Sequence, residues 1–223
     1  MRYESPQTVD QAISLLAGAG GDPRVLAGGT DLLVQLRAGV IDPELIVDIK
    51  QIDEAMAIST EAGGFRVGAA VSGARLKEHD TLSASWPGVV EAADLIGSTQ
   101  IQGRASMGGN LCNASPAADT VPALIAAGAT CALAGPGGRR EVPVEEICTG
   151  PGQTILTDGE FVVSILLPAR GSRSGDAYLR FIPRTEMDIA VVGVGVSLSL
   201  DRDGQCSAAL VAVGAVAPTA LLV

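Results

Sequence analysis

Length, composition and charge narrow the classes of protein that this chain can represent. It has 223 residues, of which 47% are hydrophobic and 18% are charged, so it can bury a sizeable core. The formal net charge of −10 gives a polyphosphate backbone no electrostatic reason to bind. Polar residues interrupt the apolar runs well before the length of a bilayer span, and the first residues lack the apolar segment of a secretory signal. We therefore expect a cytoplasmic globular protein with no membrane span and no nucleic-acid ligand.

The pattern of cysteine and histidine argues against a metal site in this chain. Cys112, Cys131, Cys148 and Cys206 lie far apart in the sequence, and no two of them have the CxxC spacing at which thiolates converge on a metal. His79 lies in a charged stretch and is expected at the solvated end of a helix. We expect no iron–sulfur cluster, no zinc site and no catalytic acid, base or nucleophile.

Helical and extended patterns alternate in the first part of the chain, as is typical of an α+β or α/β protein. Helices are predicted over residues 9–16, 31–37 and 72–79, and strands over residues 24–27, 45–49 and 65–69. Thr8 is a candidate N-cap for the first helix. The strand at 24–27 runs directly into Gly28-Gly29, and Thr30 or Asp31 can cap the helix that follows.

The second part of the chain predicts a further unit after a hinge. Helices are predicted over residues 89–96 and 118–127, strands over 130–133, 161–167, 178–182, 189–200 and 208–215, and an irregular segment over 103–117. Residues 169–176 have the composition of a linker, so we place a domain boundary near residue 173. The last three strands form an antiparallel sheet with one apolar face, which we expect a C-terminal remainder or a partner to cover.

Two glycine pairs give the clearest functional signal. A strand that enters Gly28-Gly29 and leaves through a capped helix can direct free backbone N–H groups at one anion, although such turns are common. Gly108-Gly109 is a second pair, flanked by a hydroxyl and an amide. Two such loops in one domain suggest two halves of a diphosphate clamp. The chain lacks the GxGxxG and GxxxxGK[ST] patterns, which disfavours ordinary Rossmann and NTPase folds.

Asp119 follows the second loop and lies near the start of a predicted helix. Its carboxylate can complement the helix dipole as an ordinary first-turn residue. It can equally accept hydrogen bonds from sugar or ribityl hydroxyl groups. The spacing of the residues leaves both interpretations open.

Residues 25–32, residues 106–110, Asp119 and residues 178–190 together resemble the FAD-binding subunits of molybdenum hydroxylases, the family of carbon monoxide dehydrogenase and xanthine dehydrogenase. The resemblance implies an α+β fold of the vanillyl-alcohol-oxidase or PCMH type. Residues 1–173 would form the FAD-binding domain, with subdomains of about 1–57 and 58–173. Residues 174–223 would form part of a carbon monoxide dehydrogenase flavoprotein C-terminal-like domain.

The resemblance also implies the contacts with FAD. The backbone of both loops and the hydroxyl groups of Thr30 and Ser106 would bind the pyrophosphate, and Asp119 would hold ribityl or ribose oxygens. Ile96, Val162 and Ile189 match positions near the flavin, the adenine and the isoalloxazine, although each could also be an ordinary core residue. Arg180 falls where the family often has lysine, which makes a different kind of contact. The full predicted set is Leu26, Ala27, Gly28, Gly29, Thr30, Asp31, Leu32, Ile96, Ser106, Met107, Gly108, Gly109, Asn110, Asp119, Val162, Arg180 and Ile189.

In this family the substrate is hydroxylated at a molybdenum–pterin centre in a large subunit. Electrons then cross two [2Fe–2S] clusters in a small subunit to FAD and pass to NAD or another acceptor, within a dimer of heterotrimers. The resemblance implies the same task for this chain. Two alternatives are a stand-alone FAD-dependent oxidase, which would need its own substrate pocket and base, and an assembly subunit that binds no flavin.

Overall fold

The computed structural model describes residues 1–185 and 187–223. The strands are β1 (Arg2–Glu4), β2 (Arg24–Leu26), β3 (Leu45–Asp48), β4 (Ile58–Glu61), β5 (Gly64–Gly68), β6 (Thr130–Gly135), β7 (Gly138–Pro143), β8 (Cys148–Gly150), β9 (Gln153–Thr154), β10 (Phe161–Leu167), β11 (Ser174–Phe181), β12 (Val192–Leu200), β13 (Cys206–Gly214) and β14 (Leu221–Leu222). The helices are α1 (Val9–Ala17), α2 (Leu32–Arg37), α3 (Asp53–Met56), α4 (Gly73–Lys77), α5 (Asp80–Ser85), α6 (Pro87–Asp94), α7 (Thr99–Gln102), α8 (Met107–Cys112) and α9 (Thr120–Ala126).

A small parallel sheet with the order β1-β3-β2 forms the N-terminal part of the fold. All four residues of the central strand β3 are buried, as expected for a parallel strand that is covered on both faces. Helix α1 connects β1 to β2, and its predicted N-cap is confirmed because Thr8 Oγ1 accepts a hydrogen bond from the backbone N–H of Gln11 at 3.2 Å. Strand β2 of this sheet ends at Leu26, directly before the first glycine loop.

A five-stranded antiparallel sheet with the order β4-β5-β10-β6-β7 carries the main core. Its central strand β10 is almost entirely buried and includes Phe161, which is 2% exposed. Helices α3 and α8 contact this sheet. The position of α8 fixes the second glycine loop beside the sheet that holds Val162.

Strands β11 to β14 form an antiparallel sheet that packs on α9. Gly195 and Gly214 lie against Pro122 of this helix so closely that an added Cβ would overlap with it. The opposite face exposes large apolar side chains, including Leu179 and Leu198. The expected apolar face is therefore confirmed, whereas the expectation that a C-terminal remainder or a partner covers it stays a prediction.

Four expectations about the elements were wrong in detail. The segment 103–117, expected to be irregular, contains helix α8, because the Ser106 hydroxyl caps a helix that tolerates two glycines. The strand expected over 189–200 begins at Val192, and Ile189 precedes it. The C-terminal sheet has a fourth described strand, β14. The expected cap of α2 is missing, because the N-cap residue Asp31 makes no side-chain hydrogen bond to this helix. His79 lies at a helix end as expected, where it caps α5 and stacks edge-on against Phe65.

No helix in residues 1–185 or 187–223 has the length and apolar character needed to cross a membrane. Within those ranges, no three or more histidine, cysteine, aspartate or glutamate side chains form a group that could hold a metal ion.

Candidate cofactor site

A cavity of about 590 Å³ lies between the loop that follows β2 and the segment that forms the start of α8, which we continue to call the second glycine loop. Both glycine pairs, Gly28-Gly29 and Gly108-Gly109, line its wall, so two loops that are distant in the sequence meet at one site. The volume lies within the roughly 300–1,000 Å³ that is usual for sites of small molecules and cofactors. The segments 21–25 and 156–162 complete the wall.

The two glycines of the first loop are needed for different reasons. An added Cβ at Gly28 would overlap with the backbone carbonyl of Arg104, so this glycine allows the first loop to touch the second. Gly29 has φ +82°, a conformation that residues with a Cβ rarely adopt. In the described part of the chain, the N–H groups of Gly28, Gly29 and Thr30 make no backbone hydrogen bond. The loop therefore has free donors beside the cavity.

The side chain of Lys50 holds the first glycine loop in position. Its Nζ donates to the carbonyl oxygen of Ala27 at 2.9 Å and to Oδ1 of Asp48 at 2.7 Å. Tyr3 donates its hydroxyl to the other carboxylate oxygen of Asp48. Burial opposes ionisation of Asp48, but the hydrogen bonds from Lys50 and Tyr3 outweigh it and lower the pKa of that carboxyl. The ionised carboxylate holds Lys50 in place, and Lys50 holds the loop carbonyl.

The second loop is fixed by its own cap and by a bridge to the residue that caps α4. Ser106 Oγ accepts a hydrogen bond from the N–H of Gly109 at 3.1 Å, and Ser106 pairs with Ser72 in an isolated antiparallel bridge. An added Cβ at Gly108 would overlap with Ala69, whereas one at Gly109 would find only Ser106 Oγ within 3.1 Å and Ala27 at 3.9 Å. Gly108 is thus a packing glycine, and Gly109 keeps the cavity open.

Asp119 takes part in a buried network between α9 and the C-terminal sheet. Its carboxylate accepts a hydrogen bond from the Tyr178 hydroxyl at 2.9 Å and forms an ion pair with Arg180 at 3.0 Å. Its side chain makes no capping hydrogen bond to α9. Burial raises the pKa of Asp119, and the interactions with Arg180 and Tyr178 reduce that rise without cancelling it. Asp119 and Arg180, which the sequence nominated separately, are direct partners.

The structure brings most of the predicted site residues to the cavity wall and leaves five of them outside it. The twelve that line the cavity are Ala27, Gly28, Gly29, Thr30, Asp31, Leu32, Ile96, Ser106, Gly108, Gly109, Asn110 and Val162. Leu26 belongs to β2, and Met107 is buried in the core. Asp119 and Arg180 pair with each other, and Ile189 is 74% exposed on the loop before β12. These five do not line the cavity, and the role of the whole set as FAD contacts stays a prediction.

Sequence reasoning missed three residues that shape the site. Arg24 lines the cavity, and Lys50 binds the carbonyl oxygen of Ala27 in the first loop. Asn113 accepts a hydrogen bond from the side chain of Gln35 at 3.3 Å, which links α2 to the end of α8. A basic residue at the start of a strand that enters a glycine loop was the available signal for Arg24. Nothing in the sequence around Lys50 indicated that its side chain contacts the loop after β2.

Comparison with known proteins identifies the family. A family model described as the FAD binding domain in molybdopterin dehydrogenase matches residues 1–170. The chain belongs to this family. A second model, the CO dehydrogenase flavoprotein C-terminal domain, matches residues 177–223 of this FAD-binding subunit.

Individual relatives agree with the family models. The FAD-binding subunit is 33% identical over 219 residues to the carbon monoxide dehydrogenase medium chain of Hydrogenophaga pseudoflava, a match that covers 98% of this chain and 76% of that one. It is also 33% identical over 219 residues to a putative xanthine dehydrogenase FAD-binding subunit of Escherichia coli strain K12, covering 97% and 74% of the two chains.

A solved structure gives the same answer for the fold. The FAD-binding subunit matches carbon monoxide dehydrogenase from Hydrogenophaga pseudoflava, in a form that lacks the Mo-pyranopterin moiety, with a TM-score of 0.94 and 33% identity over 100% of this chain and 77% of that one. The predicted family and fold are confirmed, and the chain is a subunit of an oxidoreductase.

The residues of the cavity fit FAD. The unpaired N–H groups of the first loop and the open space in front of Gly109 suit a pyrophosphate, because glycine lets phosphate oxygens approach the backbone closely. The side chain of Arg24 also presents a buried Nε that has no acceptor in the described part of the protein. Each feature would be satisfied by an anionic ligand that lies along the wall.

Proposed function

We propose that this chain holds FAD between the two glycine loops and passes electrons from a redox centre in a partner subunit to an external acceptor. The observation that carries the proposal is that both loops line one cavity. The family match supports FAD as the occupant. When bound, FAD supplies the capacity to accept electrons from one partner and to release them to another.

The residues of this chain bind and orient the cofactor. The free N–H groups of residues 28–30, together with the backbone of residues 106–110, hold the pyrophosphate, and the hydroxyl groups of Thr30 and Ser106 add donors. Asp119 holds a ribityl or ribose oxygen, Val162 packs near the adenine, and Ile96 and Ile189 lie beside the flavin ring. The two functional units are residues 1–173, which bind FAD, and residues 174–223, which belong to the C-terminal flavoprotein domain.

The complex that we propose has three kinds of subunit. A small subunit with two [2Fe–2S] clusters delivers electrons to this chain, and a large subunit with a molybdenum–pterin centre hydroxylates the substrate. The assembly is a cytoplasmic dimer of heterotrimers, and NAD or another acceptor takes the electrons. The names of the relatives, which are medium chains or FAD-binding subunits of dehydrogenases, support this division of labour.

Absorbance spectroscopy and co-expression test the proposal. The purified chain, or the chain reconstituted with FAD, should show flavin absorbance and bind one FAD. Co-expression with genes for its partner subunits should yield a complex that contains molybdenum, iron and flavin. A chain that stays colourless and does not bind added FAD would contradict the cofactor assignment and favour an assembly subunit. Reduction of the bound flavin by an organic substrate without any partner would favour a stand-alone oxidase.

A further inference from the structure

Arg24 is the one cation among the described residues that line the cavity. The same wall carries the carboxyl groups of Asp22, Asp31, Asp158 and Glu160. Of these, Glu160 is paired with Arg140, at 2.7 Å and 2.9 Å. A phosphate anion that enters the cavity therefore meets several carboxylates and, among the described residues, one guanidinium that can offset their charge.

Arg24 has a buried hydrogen-bond donor that no described acceptor satisfies. Its Nη2 forms an ion pair with Oδ2 of Asp22 at 2.5 Å, and the two side chains are 42% and 63% exposed. Its Nε is buried and has no hydrogen-bond partner within residues 1–185 and 187–223. A buried donor on a charged group is costly without an acceptor. A ligand oxygen at this position would remove that cost.

The position of Arg24 indicates which part of the cofactor it meets. Arg24 begins β2, three residues before Ala27, and an extended strand rises about 3.3 Å per residue, so it lies roughly 10 Å from the first glycine loop. An added Cβ at Gly159 would lie 3.2 Å from Ala17, which places the segment before β10 beside the end of α1. Arg24 and Val162 both line the cavity, and the proposed function places Val162 near the adenine.

We propose that Arg24 recognises the adenosine monophosphate half of FAD, with its Nε donating to a phosphate or ribose oxygen of that half and Asp22 holding the guanidinium in place. The inference rests on the proposed FAD site and adds a residue that makes this site select FAD over FMN. Arginine suits the task because its planar fork can bind a carboxylate and a second oxygen together.

The test compares FAD, FMN and AMP on the purified full chain. Arg24→Met keeps the length of the side chain but removes the charge and Nε, and Arg24→Lys keeps only the charge. Arg202→Met, in the exposed turn between β12 and β13, is the matched control. For Arg24→Met we expect the Kd of FAD from flavin fluorescence to rise about 10- to 100-fold, the loss usual for a charge-assisted hydrogen bond. The Kd of FMN should change less than about twofold, and Arg24→Lys should lie between Arg24→Met and wild type.

AMP gives an independent readout of the same half of the ligand. Its inhibition constant against FAD should rise in Arg24→Met by the same factor as the Kd of FAD, and Arg202→Met should match the wild type. Unchanged FAD binding in Arg24→Met would overturn the proposal, as would an equal loss of FAD and FMN at an unchanged thermal midpoint of the apoprotein. Failure of the wild-type chain to bind FAD would instead overturn the proposed function.

Discussion

At the scale of single residues, Gly109 is the loop glycine whose missing side chain faces the cavity. Gly109→Trp should fill the space where the pyrophosphate lies and abolish flavin retention, because the indole takes the volume of the ligand. The fold should survive, since an added Cβ would meet no backbone atom, and the side chain of Ser106, at 3.1 Å, would need to move by only a few tenths of an ångström. Flavin content after purification, measured by absorbance, checks the first expectation, and the thermal midpoint of the apoprotein checks the second.

Gly28 provides the contrast. Even Gly28→Ala should lower the thermal midpoint of the apoprotein, because its Cβ would overlap with the backbone of Arg104 and push the two loops apart. A Gly109→Trp protein that retains flavin, or a Gly28→Ala protein as stable as the wild type, would contradict this division of roles.

The buried pair of Asp119 and Arg180 supports a prediction about stability. Asp119→Ala should destabilise the protein by about 3–5 kcal/mol, because Arg180, whose side chain is 8% exposed, would be left as an unpaired buried charge. Denaturant unfolding near neutral pH measures the loss. Arg180→Lys is the conservative comparison, and it should cost less because a cation remains beside the carboxylate.

The raised pKa of Asp119 determines how its contribution to stability changes with pH. The pKa of Asp119 is raised in the folded protein, so the folded state binds this proton more tightly than the unfolded state does. The contribution of Asp119 to stability should therefore fall as pH rises from its unfolded-state pKa through its folded-state pKa. Asp119→Ala should remove this component of the slope. An unchanged slope, or wild-type stability in Asp119→Ala, would contradict the assigned role.

At the scale of elements, the hydrophobic period identified the long helices and buried strands, and capping residues identified where α1 begins. Helix α8 escaped prediction because its glycines read as a loop, although its capping serine was visible in the sequence. Strand β7 was not predicted because its exposed residues 138–141, three of which are charged, lack an alternating apolar pattern. The pairing of Asp119 with Arg180 spans 61 positions and depends on how the C-terminal sheet packs on α9, which no local pattern encodes.

The junction between α6 and β11 supports another prediction. Asp176 accepts hydrogen bonds from Arg170 at 2.5 Å and from the N–H of Val89 at 3.2 Å, and the guanidinium of Arg170 lies 4.3 Å from the centre of the Trp86 ring. Asp176→Ala should cost about 3–5 kcal/mol in unfolding free energy, because it leaves a buried arginine unpaired.

An exposed ion pair is the matched control for that junction. Lys77 and Asp94 are 2.7 Å apart, but the side chain of Lys77 is 62% exposed. Lys77→Ala should therefore change the unfolding free energy by less than about 1 kcal/mol. Equal losses in the two variants would show that burial does not determine the strength of the Asp176 contacts.

At the scale of the whole molecule, the cavity lies between two glycine pairs that are far apart in the sequence. The loop after β2 of the parallel sheet supplies Gly28, and the first turn of α8, beside the antiparallel sheet, supplies Gly108. Each glycine pair was visible in the sequence, and the resemblance to a family predicted that the two pairs share one site. The Cβ directions that separate packing glycines from cavity glycines, and the orphaned donor of Arg24, required the three-dimensional arrangement.

Because the cavity wall includes residues from both sheets, FAD should stabilise them together. A ligand that binds only the folded state at 100 times its Kd adds about 2.7 kcal/mol, which for a chain of this size raises the thermal midpoint by roughly 5–10 °C. We expect a single unfolding transition that shifts upward with FAD concentration in calorimetry, with a smaller shift for Arg24→Met at the same FAD concentration. If FAD bound one sheet alone, the transition would split into a shifted and an unshifted part. A midpoint independent of FAD would contradict binding in this cavity.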